Sequence, residues 1–306
     1  MKTIKLIPDN TSIRFMRIRV IAFTFSGLLI LASIVSLLGQ GLNFGIDFMG
    51  GTLIEAAQED EIDISALRSR LNNLGVAQVQ IQEFGTSNDV LIRISGQKNA
   101  VNAEENLSTV AAIREEIEGD FEIRRVEIVG PQVSGELIQA GLLAVSLAVI
   151  SMLIYIWFRF EWQFSLGSVI ALVHDVVLTL GIFSVLQIEF NISILAAILT
   201  IVGYSMNDTV VVYDRVREKL RKYKKMELTE LLDLAINKTL SRTVMTSVTT
   251  LIALFSLYIF GGEVIRGFTF AMIFGIVVGT YSSIFVAAPI LNIFGVKRDW
   301  SGLDKD

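Results

Sequence analysis

Six stretches of about 20 predominantly apolar residues recur along this sequence, and a helix of about 20 such residues crosses the hydrocarbon core of a bilayer. Over the chain 52% of residues are hydrophobic and 19% are charged, which is too apolar for an ordinary soluble domain and too charged for burial in lipid throughout. We therefore predict a membrane α-helical protein with a water-exposed part. The stretches cover residues 20–38, 138–158, 164–186, 192–213, 244–260 and 268–294.

The first stretch follows a polar head at residues 1–19, whose basic side chains predict a cytoplasmic N-terminus. Its apolar run is longer than the core of a typical signal peptide, and no Ala-x-Ala-like cleavage site follows it. We expect an uncleaved anchor. The basic residues of the head are Lys2, Lys5, Arg14, Arg17 and Arg19.

The lysine and arginine content of the remaining loops predicts the orientation of the other helices, because basic loops stay in the cytoplasm. Residues 214–243 hold nine basic residues and the tail at 295–306 includes Lys297 and Arg298, whereas the loops near 187–191 and 261–267 hold only Arg266. We predict six transmembrane helices with both termini inside, a periplasmic domain at 39–137 and a five-helix bundle at 138–294.

Charge and residue usage exclude several classes of function. Residues 39–137 carry seventeen acidic against seven basic side chains, which argues against nucleic acid as a partner. The chain has no cysteine, so disulfides, thiol catalysis and zinc–thiolate sites are excluded. The acidic run at residues 59–63 is more typical of a solvated loop than of a calcium site. No metal or cofactor is expected.

The segment at 39–137 is long enough for one compact domain. Alternating and helical apolar patterns predict strands at 52–56, 76–84, 89–95 and 121–129 and helices at 64–74 and 101–117, with a turn at 85–88. Asp63 is placed to cap the first helix and Gly75 to end it. The order βαββαβ predicts an α+β ferredoxin-like domain. It holds no nucleophile–base pair, so we expect a moving or binding element.

An aspartate, Asp208, lies inside the fourth apolar stretch, where an ionisable group costs several kcal/mol and is usually functional. Tyr204, Ser205 and Asn207 lie within one turn of it, so one helical face is polar. The alternative is a carboxylate near the helix end that reaches the cytosolic headgroups, although Asp is shorter than Lys or Arg. We favour a buried functional group.

Two further polar clusters lie within predicted helices. His174 and Asp175 fall near the middle of the third stretch, far from either headgroup layer. Arg242 opens the fifth stretch, either as a cytosolic anchor or as part of a polar bundle interior. The interior hypothesis is favoured by a helical stripe that continues from it through Thr246, Thr249 and Thr250. Burial favours the neutral form of a carboxylate, whereas a nearby cation favours its ionised form. The competition between these two effects is what a proton-switched site requires.

Small residues recur every fourth position in two predicted helices, which lets neighbouring backbones approach closely. The sequence therefore predicts a tightly packed bundle. The two ladders are Ala271, Gly275, Gly279, Ser283 and Ala287, and Ala140, Ala144 and Ala148.

Five motifs together make the chain, from about residue 15 to 295, resemble the SecD/SecF family of bacterial protein-export subunits, within the RND superfamily. A Gly-x-Asp-Phe-x-Gly-Gly-Thr signature follows the first stretch, a Val-Gly-Pro motif precedes the second, and polar blocks lie in the third, fourth and fifth. The residues that carry the signature, the Val-Gly-Pro motif and the blocks include Gly45, Asp47, Gly50, Gly51, Thr52, Gly130, Pro131, His174, Asp175, Gly203, Tyr204, Ser205, Asn207, Asp208, Arg242 and Thr243.

The resemblance implies an inner-membrane accessory subunit that acts with SecD, the SecYEG channel and the YajC protein on unfolded preproteins, using the proton-motive force and no covalent catalysis. Asp208 would be the proton-coupling carboxylate and Arg242 its partner. His174, Asp175, Tyr204, Ser205 and Asn207 would support a polar path. Gly130 and Pro131 would set the joint between the external domain and the second helix, or form a rigid turn, and both readings are open.

Two other functions use the same features. A half-size RND-type exporter of small molecules would need the same aspartate, but one external domain of about 100 residues is small for a multi-site drug pathway. An intramembrane enzyme is disfavoured, because we find no paired membrane aspartates in a protease motif, expect no Ser–Lys or Ser–His constellation at one depth, and find no His-Glu-x-x-His.

Overall fold

The computed structural model describes Pro8 and residues 11–74, 79–95 and 103–296. Six helices in this part of the chain are long and apolar enough to cross a membrane. They are α1 (Arg19–Gly39), α5 (Pro131–Arg159), α6 (Trp162–Leu186), α7 (Ile192–Lys222), α8 (Leu228–Phe260) and α9 (Glu263–Ser282). Five of the six predicted apolar stretches lie inside one helix each. Lys2, Lys5, Lys297 and Arg298, which the sequence predicts to be cytoplasmic, lie outside the described residues.

The sixth predicted stretch is not one continuous α-helix. After α9 ends at Ser282, residues Ser283–Ala287 form a π-helical turn, and a short helix α10 (Ala288–Ile293) completes the span. Pro289 lies in the first turn of α10 and has no N–H to continue the helical hydrogen bonds, which is a common cause of irregular helix geometry. π-Helical turns are rare and are frequently found at functional sites.

The chain divides into two compact units. One holds the helical parts at Met1–Leu42, Val145–Ile188 and Ser193–Asp306, and the other holds Asn43–Ala144 with Glu189–Ile192. The small segment Glu189–Ile192 therefore belongs with the sheet-containing unit, although it lies between α6 and α7 in the sequence.

The second unit is built on a four-stranded antiparallel sheet. Its elements in chain order are β1 (Asn43–Phe44), α2 (Ile46–Met49), β2 (Gly51–Ala57), α3 (Ile64–Asn73), β3 (Val79–Phe84), β4 (Thr86–Ser95), α4 (Ala103–Ile117), β5 (Glu122–Val129) and the short β6 (Glu189–Phe190). The sheet order is β3-β4-β2-β5, and β1 pairs with β6 in a separate parallel ladder. The sheet buries one face, including Ile54 and Ile92, against Leu71 of α3 and Ile113 of α4.

Helix α3 begins where its capping residue predicts. The Asp63 carboxylate accepts hydrogen bonds from the backbone N–H groups of Ser65 (2.9 Å) and Ala66 (3.0 Å), which have no partner within the helix. Leu67 and Leu71, one turn apart, are buried against the sheet. The predicted helix end at Gly75, the strand start at residues 76–78 and the helix start at 101–102 lie outside the described residues.

The predicted turn at residues 85–88 is wrong in extent. Only Gly85 reverses the chain, at φ +85°, and Thr86 pairs directly with Phe84 across a shifted register. The carbonyls of Ser87 and Asn88 accept hydrogen bonds from Ile62 (3.0 Å) and Gln58 (2.9 Å), so these polar residues extend β4 instead of forming a loop.

Small residues bring the helices of the first unit together, as their spacing predicts. A Cβ on Gly181 of α6 would lie 2.9 Å from Ser33 Cα of α1, and one on Gly279 of α9 would lie 3.0 Å from Ser205 Cβ of α7. Gly275 meets Ile201 of α7 in the same way. The shorter ladder on α5 differs, because Ala140 and Ala144 are exposed.

Candidate functional site

Asp208 is buried where three helices meet. Its Oδ1 accepts a hydrogen bond of 2.6 Å from the Thr243 hydroxyl of α8, and its Oδ2 accepts one from the Ser283 hydroxyl at the start of the π-helical turn. The residue is 9% exposed, so the carboxylate does not extend out of the bundle as the headgroup alternative requires. Because hydroxyls from two other helical segments donate to this carboxylate, a change in its protonation would alter its hydrogen bonds to both.

Arg242 does not form the expected direct pair with Asp208. Its side chain is exposed, it makes no ion pair within the described residues, and it acts on Asp208 only through longer-range Coulomb attraction. Successive side chains of an α-helix point about 100° apart, so the inward direction of Thr243 turns Arg242 outward. In this chain a threonine occupies the place that the resemblance suggested for arginine.

The threonine stripe after Arg242 also faces outward, which corrects the prediction that it lines the bundle interior. Thr246 and Thr249 are exposed and Thr250 is half-buried, and all three hydroxyls donate to carbonyls of their own helix. The inward face of α8 instead carries Thr243 and the buried Ser247, whose hydroxyl lies 2.7 Å from that of Thr280 in α9.

Asp175 in α6 forms a second buried carboxylate centre and is 1% exposed. Its Oδ1 lies 2.8 Å from Nδ1 of His174. Its Oδ2 accepts hydrogen bonds from the hydroxyls of Ser205 in α7 (2.5 Å) and Ser282 in α9 (2.7 Å). Three partners therefore replace the water that burial removes from this group.

His174 joins Asp175 to helix α1. Its Nε2 lies 3.2 Å from the Ser26 hydroxyl of α1, on the ring edge opposite the contact with Asp175. The Ser26 hydroxyl lies 3.1 Å from that of Tyr281, which donates to the Ala22 carbonyl at 3.0 Å. The imidazole therefore has a hydrogen-bonding partner at each ring nitrogen.

Ser282 and Ser283 connect the two carboxylates. They are consecutive residues, and Ser282 donates to Asp175 while Ser283 donates to Asp208. Ser205 adds a second link, because it bonds to Asp175 and lies one helical turn before Asp208 on α7. The result is a buried polar network that crosses five helices. Its members are Ser26, His174, Asp175, Ser205, Asp208, Thr243, Ser282 and Ser283.

The structure brings some predicted path residues into this network and leaves others outside. His174, Asp175 and Ser205 belong to it. Asn207 is exposed, and the buried Tyr204 hydroxyl has no hydrogen-bond partner among the described residues. Sequence reasoning missed the roles of Ser26, Ser282 and Thr243, and it assigned Ser283 to packing alone. A hydroxyl in an apolar helix is a weak signal, because it can bond to its own backbone.

The glycine-rich signature after α1 has a structural explanation. Gly50 and Gly51 adopt φ values of +71° and +128°, which side chains with a Cβ rarely tolerate. The N–H of Gly45 donates to the Phe190 carbonyl at 2.9 Å. Asp47 Oδ2 accepts from the backbone N–H of Ile192, the first residue of α7, at 2.9 Å. The signature therefore holds the segment at which α7 begins.

An ion pair lies beside this contact. The guanidinium of Arg93 in β4, which is 8% exposed as a residue, pairs with the Glu189 carboxylate and donates to Asn43 Oδ1 at 3.3 Å. Burial raises the pKa of Glu189, and the Arg93 guanidinium opposes that shift. The other predicted joint is a single residue, since Gly130 alone separates β5 from Pro131, the first residue of α5.

The described residues hold no group of three or more histidine, cysteine, aspartate or glutamate side chains that could bind a metal ion. The buried network itself is made of hydroxyls, two carboxylates and one imidazole, groups that donate and accept hydrogen bonds and can carry protons.

Comparison with known proteins shows the class to which this fold and site belong. Residues 109–297 match the family described as protein export membrane protein SecD/SecF, C-terminal, and residues 35–57 match the SecD/SecF GG motif. The chain belongs to the SecD/SecF family of protein-export membrane proteins.

Within that family the chain is similar over nearly its whole length to curated proteins named protein translocase subunit SecF. It is 46% identical to that of Rickettsia bellii over 296 residues, covering 96% of this chain and 97% of the relative. It is 46% identical to that of Cereibacter sphaeroides over 302 residues, covering 96% and 93%. These similarities identify a multi-pass membrane protein of the Sec translocase, in the class of its accessory subunits.

Solved structures of SecDF share the fold. The crystal structure from Thermus thermophilus, described as a translocon-associated membrane protein, matches with a TM-score of 0.86 at 32% identity over 95% of this chain. A SecDF structure in a super-membrane-facing form matches with a TM-score of 0.70 at 33% identity over 99% of the chain. This chain spans only 40% of the first SecDF chain and 41% of the second.

Proposed function

We propose that this subunit acts with SecD to promote export of unfolded preproteins through the SecYEG channel, using the proton-motive force across the inner membrane. Protonation of Asp208 is the coupling event. The observation that carries the proposal is the burial of Asp208 between hydroxyls from two other helices, Thr243 of α8 and Ser283 of the π-helical turn. The subunit itself catalyses no covalent chemistry.

Protonation changes what Asp208 does in this setting. An ionised carboxylate only accepts hydrogen bonds, so both hydroxyls donate to it. A proton on one oxygen turns that oxygen into a donor, and Thr243 or Ser283 must then reorient. Hydrogen bonds to charged groups contribute about 1.5–3 kcal/mol each. One charge moving through about 100 mV supplies about 2.3 kcal/mol, so one proton is sufficient to bias the packing of three helices.

In this proposal the buried pair of Asp175 and His174 takes part in proton coupling together with Asp208. Ser282 and Ser205 donate to Asp175, and Ser283, the neighbour of Ser282, donates to Asp208. A change in the protonation of Asp208 therefore reaches Asp175 through the backbone that the adjacent residues Ser282 and Ser283 share.

The exposed face of α8 is assigned to SecD. Arg242, Thr246 and Thr249 form one exposed polar face of α8, and a cation on a membrane-spanning helix is costly without a partner. A partner that supplies an acceptor for Arg242 removes that cost. SecD is the partner proposed, because the SecDF chains that share this fold are more than twice as long as this chain. YajC remains a proposed further partner.

The domain between α1 and α5 is proposed to be periplasmic and ferredoxin-like, with the N- and C-termini of the chain in the cytoplasm. The strand order β3-β4-β2-β5 with antiparallel neighbours supports the ferredoxin-like assignment. Excess lysine and arginine in the 214–243 loop supports the orientation.

The test is precursor export into inverted membrane vesicles that carry Asp208→Asn. We expect the stimulation of export by a proton gradient to be lost while ATP-driven translocation continues. Asp214→Asn is a matched control on the same helix, since Asp214 is exposed and pairs with Arg159. Retained stimulation in Asp208→Asn would refute the coupling role.

The exporter alternative predicts a different outcome. Loss of the protein would then raise sensitivity to small toxic molecules with no defect in precursor processing. The two measurements on one deletion strain separate the two functions.

A further inference from the structure

The first residue of α7, Ile192, and the segment before it belong to the sheet-containing unit, where backbone pairing holds that segment. β1 and β6 form a parallel ladder in which Asn43 pairs with Glu189 and Phe44 pairs with Phe190. The N–H of Gly45 adds a hydrogen bond of 2.9 Å to the Phe190 carbonyl. Helix α7 starts two residues after this ladder, which leaves little slack between the pairing and the helix.

Asp47 extends the attachment to the helix itself. The first N–H groups of a helix have no partner within it, and the helix dipole favours negative charge at that end. Asp47 supplies both needs for α7, because its Oδ2 accepts from Ile192 N at 2.9 Å across 145 positions of sequence. A cap delivered from another element fixes the helix end to that element.

Side-chain contacts also stabilise the region around the β1–β6 ladder. Arg93 of β4 pairs with Glu189 and also donates to Asn43, so it joins β4 to both strands of the short ladder. A Cβ on Gly45 would lie against the Glu189 carboxylate, so the Glu189 side chain would have to move away from its present position. The rings of Phe44, Phe48 and Phe190 pack with centroids 5.7–5.9 Å apart.

Helix α7 thus carries Asp208 in its interior and this attachment at its start. The two lie 16 residues apart, about 24 Å along one uninterrupted helix. A rigid helix passes a displacement at one end to the other with little loss.

We propose that these residues, which we name the α7 clamp (Asn43–Phe44, Gly45, Asp47, Phe48, Arg93 and Glu189–Ile192), are the joint through which movement of α7 drives the external domain. Asp47 is its positioning residue. The inference rests on the proposed function of Asp208. In this arrangement Gly130 and Pro131 serve as the passive hinge at the other connection, and the clamp transmits the motion.

The first test compares two substitutions of one residue. Asp47→Ala removes the cap, and we expect proton-driven export to fall by about fivefold, the factor that corresponds to loss of one helix cap. Asp47→Asn keeps an acceptor oxygen and should keep the stimulation, since asparagine caps as well as aspartate. ATP-driven translocation and the amount of protein in the membrane should be the same in both variants. Equal stimulation in Asp47→Ala and the native protein would overturn the inference.

Parallel measurement of Asp208→Asn separates the two proposals. If Asp208→Asn keeps the response to the gradient, the proposed function fails. If Asp208→Asn loses the response and Asp47→Ala keeps it, only the clamp inference fails.

A reversible crosslink gives a readout that simple loss of stability does not produce. The native chain has no cysteine, so Asp47→Cys with Ile192→Cys introduces a unique pair. In reducing conditions this double variant should behave as Asp47→Ala. Oxidation to the disulfide should restore proton-driven export, and a reductant should abolish it again. Gel mobility reports how much of the protein carries the disulfide. A disulfide that forms and leaves export low would contradict the clamp.

Discussion

Thr243 Oγ1 lies 2.6 Å from Asp208 Oδ1, so the residue of α8 that touches the buried carboxylate is a threonine and not the arginine before it. This contact ties α8 to α7 through a neutral group. Arg242 is left on the exposed face. The carboxylate can therefore gain or lose a proton without breaking an ion pair inside this chain.

Thr243 is the first target for mutation. Thr243→Val keeps the shape of the side chain and removes the donor, which should destabilise the ionised form of Asp208 and reduce proton-driven export. Loss of a hydrogen bond to a buried group costs about 1–3 kcal/mol. Thr243→Ser should retain function. Thr246→Val is the matched control one turn along, because its hydroxyl is exposed and bonds to its own helix. An export defect in both valine variants would contradict the specific role of Thr243.

The serine pair predicts a particular pattern of coupling. Ser283→Ala should act only through Asp208, so its effect on export should vanish in an Asp208→Asn background. Ser282→Ala should show the same dependence on Asp175. Contacting residues in one network usually couple by about 0.5–3 kcal/mol in a double-mutant cycle, which thermal unfolding in detergent measures. Additive effects in both cycles would show that the serines do not act through the carboxylates. Ser256→Ala, on the exposed face of α8, is the control.

Gly275 provides a test of helix packing. A Cβ there would lie 2.7 Å from Cγ2 of Ile201, with the whole branched side chain in the way. Gly275→Ala should therefore destabilise the protein by about 1–3 kcal/mol, and Ile201→Val should recover part of the loss. Gly27→Ala in α1 meets nothing within 4 Å and should be neutral or stabilising, because alanine is the better helix former. Melting temperatures of the purified variants decide between these outcomes.

Glu189 predicts a pH dependence with a defined sign. Its pKa is raised above the ordinary value of 4.5, chiefly by burial, with Asp47 and Glu127 adding to the shift and Arg93 opposing it. The folded state then favours the protonated form, so the stability contributed by this group is complete below about 4.5 and is lost as the pH rises through the raised pKa. Glu189→Gln removes this dependence.

The measurement is the unfolding temperature of the native protein and of Glu189→Gln from acid to neutral pH. The difference in stability, native minus variant, should fall as the pH rises. Glu122→Gln, an exposed site on β5, should show no such trend. A difference that grows with pH would mean that the pairing with Arg93 outweighs burial.

Local patterns were sufficient for most of the secondary structure. Apolar length located the spanning helices, and Asp63 located the start of α3 because a cap acts within three residues. The break in the last span escaped prediction, since a wide turn leaves the apolar pattern unchanged. The sequence also did not predict that the chain reverses at Gly85 alone. Thr86–Asn88 are typical turn residues, but hydrogen bonds from Gln58 and Ile62 to Asn88 and Ser87 hold them in β4.

The buried site was only partly accessible from the sequence. Asp175 and Asp208 stood out because charge is costly in an apolar run. The sequence did not show which face of α8 is buried, because Thr243 and Ser247 repeat with the same helical spacing as Arg242 and Thr246. Only the packing of α7 and α9 decides which face turns inward. The pairing of Arg93 with Glu189 joins residues 96 positions apart, beyond the reach of any local pattern.

The π-helical turn at Ser283–Ala287 has a consequence for insertions and deletions. Such a turn holds about one residue more than an α-helical turn, so it marks a place where the chain length of a helix can change by one. Removing one residue within it should give a regular helix whose two halves still present the same faces to their neighbours. Removing one residue in the middle of α9 would instead rotate everything that follows by about 100°. After the deletion within the π-helical turn the bundle should still fold. Ser282 and Ser283 would then no longer be able to donate to Asp175 and Asp208 at the same time.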